Sequence, residues 1–192
     1  MTTNQAIFPA PAQALFPALP AVARNLLLAV VGSLILWASA KVQVPFWPVP
    51  MTMQPMVVLL LGALYGPRLA VATVLLYLAE GAVGLPVFAG TPERGIGLPY
   101  MLGPTGGYMV GWLASAALVG YVFERRRAVL PVLLAMLAGV AVMYTTGFAW
   151  LATHIGAAKA FTAGVVPFVL GDVLKAGLAT ALALGAVRAT RR

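Results

Sequence analysis

Cysteine is absent from the 192-residue chain, histidine occurs once, and Asp and Glu together number four. The first absence excludes disulfides, thiolate metal sites, iron–sulfur clusters and cysteine nucleophiles, and it leaves the redox compartment unreadable. The scarcity of acids and histidine leaves little for a metal site or an acid–base pair. Charge is scarce overall: 8% of the residues are Asp, Glu, Lys or Arg, where a soluble domain carries about 25%. That shortage excludes an ordinary soluble enzyme. With 62% hydrophobic residues, the chain reads as an all-α integral membrane protein, and its length suits about six crossing helices of roughly 20 residues each in a single bundle. The Gly-x-x-x-x-Gly-Lys-Ser/Thr, Gly-x-Ser-x-Gly and His-Glu-x-x-His patterns are also missing, which removes the usual signs of an ATP motor or a hydrolase. The net charge is +8, yet the basic residues stand mostly one by one between apolar spans, so they form no nucleic-acid groove.

Apolar runs bounded by Pro, Gly and charge predict helices at 22–40, 53–65, 68–83, 105–123, 128–153 and 163–188. The second is short, roughly 20 Å against a hydrocarbon core of about 30 Å, which fits a tilted span, a helix buried against its neighbours or a re-entrant pair with the third. Gly66-Pro67 argues against one long helix there. Residues 1–21 form an arm broken by Pro9, Pro11, Pro17 and Pro20, expected to be disordered or interfacial. The arm lacks the basic segment of a cleaved leader. Residues 22–188 make the membrane domain and 189–192 a basic tail. Six spans place Arg24, Arg68, Arg125, Arg126, Arg127, Arg188, Arg191 and Arg192 on one side and Lys41, Arg94 and Lys159 on the other. Such a bias predicts cytoplasmic N and C termini, so connections 41–54, 84–104 and 154–162 face outward and form the functional face.

Small residues mark close helix contacts: Gly107, Gly111 and Ser115 in the fourth helix, and Gly177, Ala181 and Gly185 in the sixth, are expected to face inward. Ala29 and Ser33 in the first fit either internal packing or a partner helix.

Asp172 and Lys175 stand in an otherwise apolar helix, three residues apart and therefore on one face. A charge within a span costs at least about 2.5–3.5 kcal/mol on insertion scales, so such groups face the interior or a polar cavity. With a helix entering near 163, the pair lies roughly ten residues down, in a pocket open outward. Two readings stand: a salt bridge that only locks the helix, or a site offering an acceptor and a cation to a small ligand with N–H donors and a carboxylate. Glu80 lines the same pocket, pairs with an outer-face cation or caps its span; Gln54 offers an amide; His154 is interfacial. The first outer loop, Val44-Pro45-Phe46-Trp47-Pro48-Val49-Pro50, is stiff and fits a lid or an aromatic anchor. Phe88, Tyr100 and Tyr108 raise the same alternatives in and beside the second outer connection.

Four segments in order, Pro45–Gln54, Gly84–Gly90, Gly103–Tyr108 and Gly171–Lys175, resemble those of BioY, the family of biotin-specific substrate-binding (S) components of energy-coupling-factor (ECF) transporters. The similarity runs from about residue 26 to 185. The resemblance implies a multi-pass protein of a bacterial inner membrane that binds biotin near the outer surface and is not an enzyme. Biotin would be its ligand, and no cofactor is expected. Asp172 would take the ureido N–H groups and Lys175 the valerate carboxylate or a supporting role, with Phe88 and Tyr108 around the ring and chain, and Gln54 and Trp47 also at the site. Where the family often continues with Gly, Ser and Asn, this chain has Thr91-Pro92-Glu93-Arg94-Gly95. Gly90 and Arg94 are therefore candidates, Arg94 reaching the carboxylate or pairing with Glu93. The implied partners are a transmembrane coupling subunit, met through Ala29 and Ser33, and two ATPases. The alternatives are the same scaffold for another small vitamin and a non-transporting structural subunit.

Overall fold

The computed structural model describes Phe8 and residues 10–189. After a 3-10 turn at Pro11–Ala14, the order is α1 (Ala21–Lys41), β1 (Gln43–Val44), β2 (Met51–Thr52), α2 (Gln54–Ala82), α3 (Gly97–Met101), α4 (Gly106–Phe123), α5 (Val129–Ile155), α6 (Ala157–Gly164) and α7 (Val169–Ala189). Among the described residues, α1, α2, α4, α5 and α7 are long and apolar enough to cross a membrane. The burial pattern is that of a protein solvated by lipid: Leu170, Leu174, Leu178 and Leu182 are exposed along α7, while Ser33, Thr73, Ser115 and Thr180 are buried. Polar groups turn inward because hydrocarbon offers them no partner.

α2 is a hairpin. Gly66 has φ +76° and ψ 168° and is followed by Pro67, a backbone state that only glycine enters without strain. Gln54 Nε2 donates to Tyr77 Oη at 2.9 Å across 23 residues, a separation that would span about 35 Å in an unbroken helix. The two arms, 54–65 and 67–82, therefore run antiparallel. The expected separation of helices at Gly66-Pro67 is thus present as a fold-back.

α4 lies between α2 and α5. Gly107 and Gly111 face α5 as expected: a Cβ on Gly107 would come within 2.2 Å of Trp150 Cβ, and one on Gly111 within 2.4 Å of Thr146 Oγ1. Ser115 Oγ closes the same seam by donating to the Gly139 carbonyl at 2.7 Å. The other small stripe differs from expectation. Gly177, Ala181 and Gly185 are exposed, and the buried face of α7 is Ala176, Ala179, Thr180 and Ala183. Both faces of α7 carry small residues, so spacing alone did not choose between them.

The bundle has two poles. α1 begins beside the turn of α2, where Tyr65 Oη donates to the Leu28 carbonyl at 2.9 Å, and α4 ends at the same pole. The arm docks there instead of standing free: the Phe8 amide donates to the Glu124 carbonyl at 2.7 Å, and Ala10 and Ala12 are buried. Residues 1–7 and 9 of the arm and 190–192 of the tail lie outside the described residues. The opposite pole carries the three long connections, which are more structured than expected. β1 and β2 pair antiparallel, Gln43 opposite Thr52, α3 interrupts 84–104, and α6 occupies most of 154–162.

Candidate functional site

The sixth expected helix, 163–188, is broken. α6 ends at Gly164, Pro167 falls in the connecting turn, and α7 starts at Val169. Asp172 therefore sits in the first turn of α7, not ten residues down a span. That position favours a carboxylate, because the N-terminal N–H groups and the helix dipole present positive potential.

The Asp172 side chain is 7% exposed and that of Lys175 13%, so the pair is held out of solvent and must be satisfied internally. Lys175 Nζ donates to Asp172 Oδ1 at 2.9 Å and to the Thr52 carbonyl at 2.7 Å. Tyr144 Oη donates to Asp172 Oδ2 at 2.7 Å. One point thus ties together α7, α5 and β2. Tyr144 was not singled out in the sequence, because a lone tyrosine in an apolar span reads as packing; only the pairing of α5 with α7 gives it a partner.

A cavity of about 60 Å³ opens beside this cluster, lined on α4 and α5 by Met109, Trp112, Val140, Met143 and Tyr144. At about 10–15 Å³ for each water position, it is a narrow slot and not an aqueous channel. Val49, Pro50, Met51 and Thr52 cover it from the first loop, and Phe168 closes one side. Phe46 meets Phe168 edge to face at 5.7 Å, so the stiff loop rests on the turn that leads into α7.

Of the residues singled out in the sequence, Asp172, Lys175, Gln54, Tyr100 and Tyr108 line this slot. Gln54 is buried and spends its amide on Tyr77, whose hydroxyl in turn donates to the Val87 carbonyl at 2.8 Å. Tyr108 Oη donates to the Gly164 carbonyl at 2.7 Å and so fixes the end of α6. Phe88, Gly90, Arg94 and Trp47 stand elsewhere. Phe88 is buried behind the slot, stacked on Tyr100 at 4.9 Å and edge-on to Tyr77, and its neighbour Ala89 reaches the cavity instead. Gly90 has φ +71° and packs under the Arg94 side chain. Arg94 donates to the Phe46 carbonyl at 3.1 Å and lies over the Trp47 ring at 5.6 Å. Trp47 itself is 79% exposed. These four therefore build the lid and its support, because the loop folds outward over the slot.

Two further polar residues hold the cover. Lys41, which the sequence offered only as a charge for topology, donates to the Pro86 and Phe88 carbonyls at 2.9 and 3.1 Å and to Thr91 Oγ1 at 3.2 Å. Tyr100 donates to the Ala89 carbonyl at 2.7 Å. Burial pushes its phenol above the ordinary range, against smaller opposing effects from Thr105 and Arg94, so it stays a neutral donor. Glu80 accepts from Ser33 Oγ at 2.9 Å and does not line the slot. Ser33 is fully buried and Ala29 nearly so. Ser33 thus takes the internal-packing alternative, while Ala29 also borders an open recess at the other pole; residues such as Val30, Leu34 and Trp37 occupy the exposed side of α1.

The arrangement offers a carboxylate and an ammonium side by side at the end of an apolar, aromatic-walled slot. It presents hydrogen-bond acceptors, one cation and a hydrophobic wall to a small amphipathic molecule.

The BioY family model matches residues 9–192. A Pyrococcus horikoshii protein named probable biotin transporter BioY is 38% identical over 145 residues, covering 76% of this chain and 85% of its own. The biotin transporter BioY of Thermotoga maritima is 33% identical over 162 residues, covering 84% and 94%. A crystal structure of the S-component for biotin from an ECF-type ABC transporter superposes with a TM-score of 0.77 at 25% identity, over 89% of this chain and 93% of the other. By the family match, the two sequence relatives and the shared fold, this chain belongs to the BioY family.

Proposed function

We propose that the protein is a biotin-capturing S component, a transport subunit and not an enzyme, with Asp172, Lys175 and Tyr144 as the polar centre of its ligand slot. The observation that carries this reading is the buried cluster itself, set against an apolar wall. A carboxylate has about four acceptor positions and an ammonium three donors. Lys175 and Tyr144 occupy one position on each Asp172 oxygen, which leaves room for the paired N–H groups of a cyclic urea. Two Lys175 donors are engaged, on Asp172 and Thr52, and the third is available to a carboxylate or its water. The apolar ring and chain of biotin would lie along Met109, Trp112 and Met143.

Counting the α2 hairpin as two spans gives six, with the first and last helix ends at one pole. Arg24, Arg68, Arg125, Arg126, Arg127 and Arg188 gather at that pole, which supports a cytoplasmic position for it and an outward-facing slot in the cytoplasmic membrane. Delivery inward would then fall to an ECF transmembrane coupling subunit with two ATPases, since the sequence carries no nucleotide-binding loop of its own.

A second reading, in which the pair only locks α7, is supported by the direct 2.9 Å bridge. Purified protein without partner subunits separates the two when titrated with biotin and analysed for bound ligand by mass spectrometry. Saturable one-to-one binding that excess thiamine or riboflavin fails to displace is expected. No binding by folded protein, or displacement by another vitamin, would overturn biotin capture.

A further inference from the structure

The arginine-rich pole has a recess that the ligand slot does not use. It lies between α1, the turn of α2 and the end of α4, with a volume of about 950 Å³. Its α1 wall runs from Val22 to Ala29, about 10 Å along the helix axis at 1.5 Å per residue. Leu69 and Ala72 face that wall from the second arm of α2, so the recess has an apolar flank. Val22 and Leu26 on it are 72% and 62% exposed. Arg68 and Arg125 line the same recess. Arg68 is exposed and has no hydrogen bond or ion pair among the described residues. Arg125 lies on the Tyr121 ring at 3.5 Å and uses an N–H on the Tyr121 carbonyl at 2.9 Å, keeping most of its donors. Glu124 is the single acid lining the recess, so cationic charge is in excess.

We propose that this recess holds an anionic membrane phospholipid, its phosphodiester on Arg68 and Arg125 and an acyl chain along Ala29, Leu69 and Ala72. Both arginines sit at the ends of apolar helices, the level at which headgroups lie. From Arg68 the flank continues inward through Leu69 and Ala72, about one helical turn further into the zone of the acyl chains. A guanidinium fork matches phosphate oxygens, and basic pockets between spans are favourable seats for anionic headgroups. A free anion would use the arginines but leave the apolar flank uncovered; a zwitterionic lipid would use the flank but bring no net charge to the arginines.

Full-length protein in detergent, titrated separately with phosphatidylglycerol and phosphatidylcholine and observed by native mass spectrometry, tests this. Wild type is expected to retain phosphatidylglycerol about ten-fold more than phosphatidylcholine, and excess inorganic phosphate is expected not to displace it. The R68Q/R125Q variant should lose the preference. Ala72→Trp, at an exposed position that leaves both guanidinium groups intact, should lower lipid retention independently of the arginines. Equal retention of the two lipids by wild type, a preference that survives in R68Q/R125Q, or displacement by phosphate would each overturn the lipid assignment. So would full retention in folded Ala72→Trp, judged by helical circular dichroism.

Discussion

The two poles of the bundle use charge in opposite ways. At the loop pole, Asp172 is buried and Lys175 largely so, each carboxylate oxygen and two of the ammonium donors are engaged, and β2, α5 and α7 converge on them. At the other pole, Arg68 and Arg126 are exposed and the recess beside Arg68 is open. The difference teaches that a charge held out of water must be matched at close range and becomes a point of specificity, whereas a charge at a span end acts at long range and sets orientation.

The comparison is broken most forcefully by Asp172→Asn. Removing one partner of a buried pair costs about 3–5 kcal/mol, and here it also removes the proposed acceptor; biotin affinity measured by titration should fall by about 100-fold or more. Retention of wild-type affinity would mean that the cluster is not the site. At the opposite pole the sensitive position is backbone, not charge. Gly66→Val forces a β-branched residue to φ +76°, with a Cβ 2.6 Å from Glu124 Oε1. We expect a loss of about 1–3 kcal/mol, seen as a lower Tm with little change in the biotin affinity of the folded fraction. Tyr144→Phe removes one hydrogen bond to a charged group, worth about 1.5–3 kcal/mol. Affinity should drop by about ten-fold or more while the helical content stays unchanged. Arg94→Ala tests the lid against the slot: because the Arg94 guanidinium holds the Phe46 carbonyl and the Trp47 ring and does not line the slot, affinity should change by less than about five-fold, in line with about 1 kcal/mol for an exposed cation–π contact. The smallest effect belongs to Arg126→Gln, which should alter stability by no more than about 0.5 kcal/mol.

Much of the fold was legible because hydropathy and backbone chemistry act locally. The apolar runs mark the helices, and Gly66-Pro67 marks the turn of α2, since no other dipeptide there relaxes both the φ and the hydrogen-bond constraint. The seam of Gly107, Gly111 and Ser115 was legible too, as α4 is flanked on both sides. What escaped depends on contacts between distant segments. Pro167 carried a local signal for the break before α7 that the continuous apolar run around it obscured. Tyr144 and Lys41 acquire their roles only when α5 meets α7 and when 84–91 folds over the end of α1. The face of α7 was illegible for another reason: in lipid, hydrophobicity no longer distinguishes inside from outside, and Gly177 and Ala176 look equally suited to packing. Within the site, the motif Gly171-Asp172-Val173-Leu174-Lys175 pointed to the charged centre. The loop aromatics did not separate into wall and lid, since Phe88 and Trp47 differ only in the tertiary packing around them.

The most direct test of a ligand site against a structural lock is a calorimetric titration of biotin against the charge-swapped variant Asp172→Lys/Lys175→Asp, with folding checked by its Tm. The swap keeps the ion pair but moves the acceptor away from Tyr144 and from the free edge of the slot. We expect a folded protein with no measurable biotin binding. Wild-type affinity in the swapped protein would contradict the assignment and leave the pair as a lock on α7.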